Sequence, residues 1–399
     1  MSGKSDKKKP LVPSLRFPEF REAGAWEVKR LGELSEIVRG GSPRPITDYI
    51  TTDSEGLNWL KIGDVHQNEK YVTSTEEKVK KSAISKTREV YPGDLIMSNS
   101  MSFGRPYILK IKTCIHDGWI AVTDINNEVE RDYLYYFILS SSSQFYFRNA
   151  AAGGGVKNLN ADIVKLLSVS LPHYLEQQKI AHCLSSLDEV IGLQAKKVQA
   201  LKQHKKGLMQ QLFPAEGETT PRLRFPEFRE AGAWEVKRLG EVCIICNGSS
   251  NAQDHVDDGA YPLFDRSEEI KRSSRYLFDA EAVIIPGEGM RFIPKYYCGK
   301  FDLHQRAYAL SDFREVGKFI YYQLGALKGV LASKAVMSTV LSLRMPILET
   351  FKLVIPSSGE QQKIAHCLSS LDEVIGLESD KLDALKNLKK GLMQQLFPQ

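Results

Sequence analysis

Two short stretches carry hydrogen-bonding side chains in a shared setting. "IHDGWIAV" at 115–122 and "LHQRAYAL" at 303–310 each place a histidine, His116 or His304, ahead of alternating apolar residues. They differ in the pair that follows, Asp117 and Gly118 against Gln305 and Arg306. Arginine donates to the guanine edge and glutamine pairs with the adenine edge in a DNA major groove. A fixed scaffold with exchanged polar side chains is how readers of different sequences would look, although a strand that merely begins with exposed polar residues fits the same letters.

Upstream of each histidine, "DLIMSNSMSFGR", which holds Asn99 and ends at Arg105, answers "EAVIIPGEGMR", which ends at Arg291. Both read as a strand, a polar or glycine-rich loop, then an arginine. Arg39, Arg44 and Lys61 beside Trp59, and Lys271, Arg272 and Arg275 beside Tyr276, are cations near aromatics. Such residues suit phosphate contacts, which position a protein without reading bases. The candidate nucleic-acid contacts are Arg39, Arg44, Lys61, Asn99, Arg105, His116, Lys271, Arg272, Arg291, His304, Gln305 and Arg306.

No catalytic constellation accompanies them. "AAGGGVKNLN" at 151–160 lacks the GK[ST] ending of a P-loop and reads as a flexible loop, and no dinucleotide fingerprint, HExxH or G-x-S-x-G occurs. The carboxylates are scattered, with no pair set apart for general acid-base work. Cys243 and Cys246 in "VCIIC" have metal-ligand spacing, but zinc needs a second pair and Cys298 stands alone. They read as buried thiols on an apolar strand, so neither a catalytic residue nor a metal ligand is expected.

What positions these stretches is a duplicated frame. "LRFPEFREAGAWEVKRLGE" runs from Leu15 to Glu33 and again, identical throughout, from Leu223 to Glu241. "EQQKIAHCLSSLDEVIGL" occurs at Glu176 to Leu193 and Glu360 to Leu377, and "KKGLMQQLFP" at Lys205 to Pro214 and Lys389 to Pro398. The first block repeats at an offset of 208 and the others at 184, so the material between differs by 24 residues. That material, Leu34 to Leu175 and Val242 to Gly359, is unlike between halves, which excludes a solenoid. Its strand-like runs, "NWLKIGDV", "GDLIMSNS" and "WIAVTDI" in the first insert, "EAVIIPGEG" and "AYALSD" in the second, give both inserts mixed α/β character.

The second block begins a long helix. With Leu184 at position a, an a/d seam runs through Ile180, Leu184, Leu187, Ile191, Val198, Leu201, Leu208 and Leu212. The other copy gives Ile364, Leu368, Leu371, Ile375, Leu382, Leu385, Leu392 and Leu396. A helix over 176–213 would be ~57 Å long, and proline ends both runs. Ser358 and Gln361 resemble a capping box. Each seam has polar intrusions, Gln194 or Glu378 at d and Lys205 or Lys389 at a, of the kind that fixes register. Antiparallel pairing of the two helices would place the inserts at opposite ends of the rod; the other possibility is that each stripe packs on its own insert.

Bulk properties agree with a protein of several domains. The chain has 399 residues, 42% hydrophobic, with a net charge of +5 that alone says little about nucleic acid. No apolar run is long enough for a membrane span, and "MSGKSDKKKP" lacks the apolar centre of a secretory signal. Six cysteines, Cys183 and Cys367 at matching repeat positions, do not make a disulfide framework. A cytoplasmic location is expected.

The opening "LRFPEF...W...RLGEL", the strand "WLKIGDV", the phrase "NLN", and above all "EQQKIAHCLSSLDEVI" with "KKGLMQQLF" resemble the specificity subunits of Type I restriction-modification enzymes along essentially the whole chain. The resemblance implies two α/β (α+β) target recognition domains, each binding one half of a bipartite DNA site. Each is followed by a long α-helix, the two helices pairing as an antiparallel coiled coil with pseudo-twofold symmetry. It implies two modification subunits that bind S-adenosylmethionine and methylate adenine at N6, and two restriction subunits that use ATP and magnesium. The subunit itself would carry no cofactor and do no chemistry. On this reading residues 1–14 are a flexible basic tail, 15–175 the first recognition domain, 176–214 the first spacer helix, 215–222 a linker, 223–359 the second domain and 360–399 the second helix. Two rivals stand beside it. A coiled-coil adaptor that binds only proteins would show no salt-dependent DNA affinity even with its partners. A stand-alone DNA-modifying enzyme would act on DNA given only magnesium and S-adenosylmethionine.

Overall fold

A computed structural model describes residues 11–66, 69–99, 104–150, 159–337 and 340–398. The initial ten residues, and with them most of the expected tail, and nearly all of the glycine-rich stretch before Leu159 lie outside the described residues. Two units divide the chain: residues 1–193 with 381–399, and residues 194–380. Each therefore holds one insert, the first part of the long helix that follows it and the last part of the other long helix.

The first unit has two five-stranded sheets. One is ordered Glu36–Arg39, Trp119–Thr123, Leu95–Ser98, Pro106–Leu109, Tyr71–Val72; the other Ile50–Thr51, Glu77–Val79, Leu57–Leu60, Thr113–Ile115, Arg88–Val90. The second unit merges the corresponding layers into one six-stranded sheet ordered Ile244–Asn247, Ala307–Ser311, Phe278–Pro286, Lys295–Leu303, Tyr261–Phe264, Lys271–Ser273. The nine-residue strand Lys295–Leu303 does alone what Pro106–Leu109 and Thr113–Ile115 do in the first unit. Strands such as Trp119–Thr123 are apolar without alternation because their sheet is covered on both faces. "NWLKIGDV" is strand only over Leu57–Leu60. Beyond it Asp64 accepts from the Lys61 amide at 3.0 Å, and Ile62–Asp64 turns as a 3-10 helix.

The registers of the two units coincide. Ile120 pairs Arg39 as Tyr308 pairs Asn247, Leu95 pairs Val122 as Val283 pairs Leu310, and Glu27 pairs Leu171 as Glu235 pairs Ile355. The offset between equivalents is 208 at Arg39 and Asn247, 188 at Leu95 and Val283, and 184 at Leu171 and Ile355. The first insert therefore gains 20 of its 24 extra residues between its opening strand and Leu95.

The repeated blocks are joined inside each unit. Arg16 Nε and Nη2 donate to Glu176 Oε1 and Oε2 at 2.8 and 2.7 Å; Arg224 does the same to Glu360 at 2.8 and 2.6 Å. All four side chains are buried, so the "LRF" block and the "EQQ" block are one contact. Gln177 Nε2 donates to Glu128 O and Pro172 O, and its Oε1 accepts from Glu130 N. Gln361 likewise donates to Glu315 Oε2 and Pro356 O and accepts from Val316 N. The capping box expected of Ser358 and Gln361 is absent for this reason: Gln361 turns onto the insert, and it is the Ser357 carbonyl that accepts from Glu360 N and Gln361 N.

The long helices span Tyr174–Leu212 and Ser358–Leu396, starting two residues before the repeated block. Every expected seam residue in both is buried or half-buried, and the polar intrusions are paired. In the first unit Lys389 Nζ reaches Asp188 at 2.5 Å; in the second, Lys205 Nζ reaches Asp372 at 2.5 and 2.6 Å. Gln194 Nε2 donates to Glu378 Oε2 at 2.6 Å. In each unit one segment descends as the other ascends, so they run antiparallel. The stripes also reach the inserts. Phe397 packs on Tyr133 and Phe137 with ring centroids 5.6 and 5.8 Å apart, as Phe213 packs on Phe319 at 5.5 Å. Tyr136 OH donates to Asp188 and Tyr322 OH to Asp372, at 2.7 and 2.8 Å. Each aspartate thus ties a helix of the insert, its own long helix and the end of the other one.

Candidate nucleic-acid interface

The candidate turn joins Thr113–Ile115 to Trp119–Thr123 in the first unit and Lys295–Leu303 to Ala307–Ser311 in the second. The His116 carbonyl accepts from Trp119 N at 3.0 Å and the His304 carbonyl from Ala307 N at 2.9 Å. The imidazole closes the turn from within: Gly118 N donates to His116 Nδ1 at 2.7 Å, and Arg306 N to His304 Nδ1 at 3.0 Å. Both histidines therefore shape the turn rather than reach out of it. Burial lowers both their pKa values, although Asp117 pulls that of His116 the other way. Protonation would set an N–H against the N–H that each now accepts.

Three further segments meet each turn. Gly40 and Gly248 lie so close beneath it that a Cβ would stand 2.1 Å from His116 O and 1.9 Å from Leu303 O. Asn99 N donates to Gly118 O at 2.9 Å as Gly287 N donates to Arg306 O at 2.8 Å. Leu159 N donates to Asn99 O at 3.1 Å as Leu343 N donates to Gly287 O at 2.8 Å. The same four segments are thus bonded through main chain in both units, and side chains vary on top. The "NLN" phrase belongs here. Leu159 supplies that bond and Asn160 Oδ1 accepts from Ile163 N at 2.8 Å, capping the helix Ala161–Lys165; Asn158 is outside the described residues.

In the first unit Arg39 Nε donates to Asp117 O at 3.0 Å, Arg44 Nη2 reaches Asp117 Oδ2 at 3.3 Å, and Ser42 Oγ donates to Asp117 Oδ1 at 2.9 Å. Burial would raise the Asp117 pKa, but the Ser42 hydrogen bond and the nearby His116 and arginines bring it below the usual carboxylate range. Asn99 is 4% exposed and spends its Nδ2 on Asp117 O at 2.9 Å, so it is a strut beneath the turn. Lys61 is turned aside to Glu77 at 2.8 Å. Arg105 faces inward, its guanidinium 5.9 Å from the Tyr107 ring centroid and its Nε buried without a hydrogen-bond partner among the described residues. Nor is Arg105 the counterpart of Arg291. Leu95 pairs Ile108 as Val283 pairs Tyr296, which sets Arg105 against Ile293.

In the second unit Arg306 Nη1 donates to both oxygens of Glu288 at 2.9 and 2.8 Å, and Gln305 Nε2 donates to Asn251 Oδ1 at 2.8 Å. Arg306, Gln305, Asn251 and Lys271 line a shallow cavity of about 350 Å³. Lys271 pairs with Asp265 at 2.7 Å. Arg272 is spent on the carbonyls of Gly259 and Ala260. Arg275 reaches Ser250 at 2.9 Å, beside the fully buried Asp302, which accepts from Ser250 and Ser273. Arg291 is exposed, 3.5 Å from Glu268. Sequence reasoning missed Ser42, Asn251, Asp302 and Glu288. One signal was available: Gly40 and Ser42 against Gly248 and Ser250 prolong the 208-residue offset past the identical block. Cys243 is a buried thiol donating to Leu239 O, its pKa raised by burial to about 12.

Comparison with known proteins accounts for the duplication. The family described as Type I restriction modification DNA specificity domain matches residues 24–203 and again 232–387. The chain belongs to that family. It is a specificity subunit of the Type I restriction-modification kind, carrying the domain twice. It is 24% identical over 93% of its length to a putative type I restriction enzyme MjaX specificity subunit of Methanocaldococcus jannaschii, covering 92% of that protein. To the EcoDI specificity subunit of Escherichia coli it is 27% identical over 41% of its length, covering 37% of that relative. In fold it is similar to the S subunit of a Type I system from M. genitalium, with TM-score 0.63 at 15% identity over 98% of this chain and all of that one. Among the described residues no helix is long and apolar enough to cross a membrane.

Proposed function

We propose that this chain recognises an asymmetric, bipartite DNA site, each unit reading one half through its four-segment turn, and that it docks the subunits that do the chemistry. The observation that carries the reading is the coincidence of main-chain bonds at the two turns with unlike side chains upon them, Asp117 and Gly118 against Gln305 and Arg306. A frame that must present different side chains in the same pose is what two reading heads require. The identical blocks serve the other task, since two copies of one surface suit two copies of one partner.

On this reading the chain is not itself an enzyme and binds no cofactor. Two modification subunits would bring S-adenosylmethionine, and two restriction subunits ATP and magnesium, in the cytoplasm. Phosphate contacts come from exposed cations such as Arg44 and Arg291, and base contacts from the turns. Methylome sequencing of a host with and without the chain tests this: a two-part motif with a fixed gap should vanish when the chain is removed. An unchanged set of methylated sites would refute it.

A further inference from the structure

We propose that Arg306 is the side chain with which the second unit recognises a guanine in the major groove, and that Glu288 is the positioning residue that holds it there. The inference rests on the reading of the chain as a DNA-recognising subunit and assigns one base contact within it.

The guanidinium is anchored through one nitrogen. Arg306 Nη1 serves both Glu288 oxygens, which leaves N–H groups on Nη2 and Nε. Two donors side by side in a planar group match guanine O6 and N7. The Arg306 side chain is 56% exposed and that of Glu288 only 15%. The carboxylate is therefore largely buried while the arginine side chain is mostly open to solvent. Glu288 is a poor reader itself, because both its oxygens face Arg306 and Arg266 stands 3.7 Å away.

The loop that carries Glu288 is fixed on both sides, which gives the "GEG" motif a reason. Gly287 donates to Arg306 O, and a Cβ there would lie 2.7 Å from that oxygen. Gly289, at φ +130°, donates to Leu341 O at 3.0 Å. Neither position admits a side chain without strain. Carboxylate, loop and turn thus form one preorganised group, and holding the arginine in advance lowers the ordering cost of binding. Of the other cations nearby, Lys271 is paired with Asp265, Arg272 is bound to carbonyls, and Arg266 approaches Glu288 only at 3.7 Å, without the two-oxygen contact that Arg306 makes.

The test is methylome mapping with the full chain and its partner subunits, comparing wild type with R306A, R306K and E288Q. In the half-site read by the second unit, R306A should relax one G·C position, its preference falling about ten- to a hundred-fold. R306K keeps the charge but not the paired donors and should relax the same position; E288Q should do so by a smaller factor. The other half-site, unchanged, reports that the chain is folded and assembled. The assignment is overturned if R306A leaves every G·C position as strict as before, or if E288Q relaxes a different position or weakens methylation at all sites equally. Methylation that depends on the chain while ignoring R306A would sink Arg306 alone; methylation independent of the chain would sink DNA reading altogether.

Discussion

At the first turn the carboxylate stands on the turn and the cations at the end of the strand Glu36–Arg39 and in the loop after it: Asp117 faces Arg44, with Arg39 on its carbonyl. At the second the cation stands on the turn and the carboxylate on the neighbouring loop: Arg306 faces Glu288. The main-chain bonds beneath are the same. Both turns are held by the same backbone bonds, close glycines and an inward histidine, while the charge on them has changed sides. Gly118 shows the limit of this exchange. A Cβ there would meet His116 Cε1 at 2.1 Å, so in the first unit the ring fills the space a side chain would need.

If the frames are interchangeable, half the chain should suffice for half the logic. Residues 1–220 contain Asp188 and Lys205, the counterparts of Asp372 and Lys389, so two copies can make the Lys205–Asp372 contact as Lys205 to Asp188 twice. Self-pairing by a twofold contact follows. This half-chain should dimerise and, with its partner subunits, direct methylation to a palindrome of its own half-site. Gln194 opposite itself rather than Glu378, and Val198 in place of Leu382, are the seam changes. Light scattering followed by methylation mapping decides; a persistent monomer would end the idea.

A smaller effect probes whether the frames carry equal weight. Arg16→Ala and Arg224→Ala each strand a buried glutamate, at a cost of roughly 3–5 kcal/mol, and the two losses should agree because the contacts do. Denaturant titration of each variant measures them, and a large loss in one unit with none in the other would break the equivalence.

The smallest expected effect is the pH dependence. His116 and His304 both have folded pKa values below the unfolded value of about 6.5. The unfolded chain then binds the protons first. Stability contributed by the neutral rings is present above about pH 6.5 and declines as pH falls from there toward the folded pKa. His116→Gln and His304→Gln should flatten that slope in thermal melts between pH 5 and 7, and an unaltered slope would remove the histidines from the account.

The frame was legible because it is spelled twice: identity located the blocks, and a seven-residue period placed every seam residue where the structure buries or half-buries it. The turns were legible because His116 and His304 begin matching apolar runs. What escaped was anything that depends on strand register. Glu288 lies 18 residues before Arg306, and only the pairing of Phe278–Pro286 with Ala307–Ser311 brings them together. The equivalence of Asn99 with Gly287 is hidden because 20 extra residues shift the offset between Arg39 and Leu95. The match of Arg105 to Arg291 failed for want of that register. Gln361 was read as a cap because its spacing allows one, whereas its amide satisfies a carbonyl and an amide of the insert, which spacing cannot reveal.

The central claim is that each unit reads its own half of one DNA site. It is tested most directly by exchanging residues 34–175 for the corresponding insert of another specificity subunit and mapping the methylated sites. One half-site should change while the other half stays as it was. A change in both halves, or in neither with methylation intact, would contradict it.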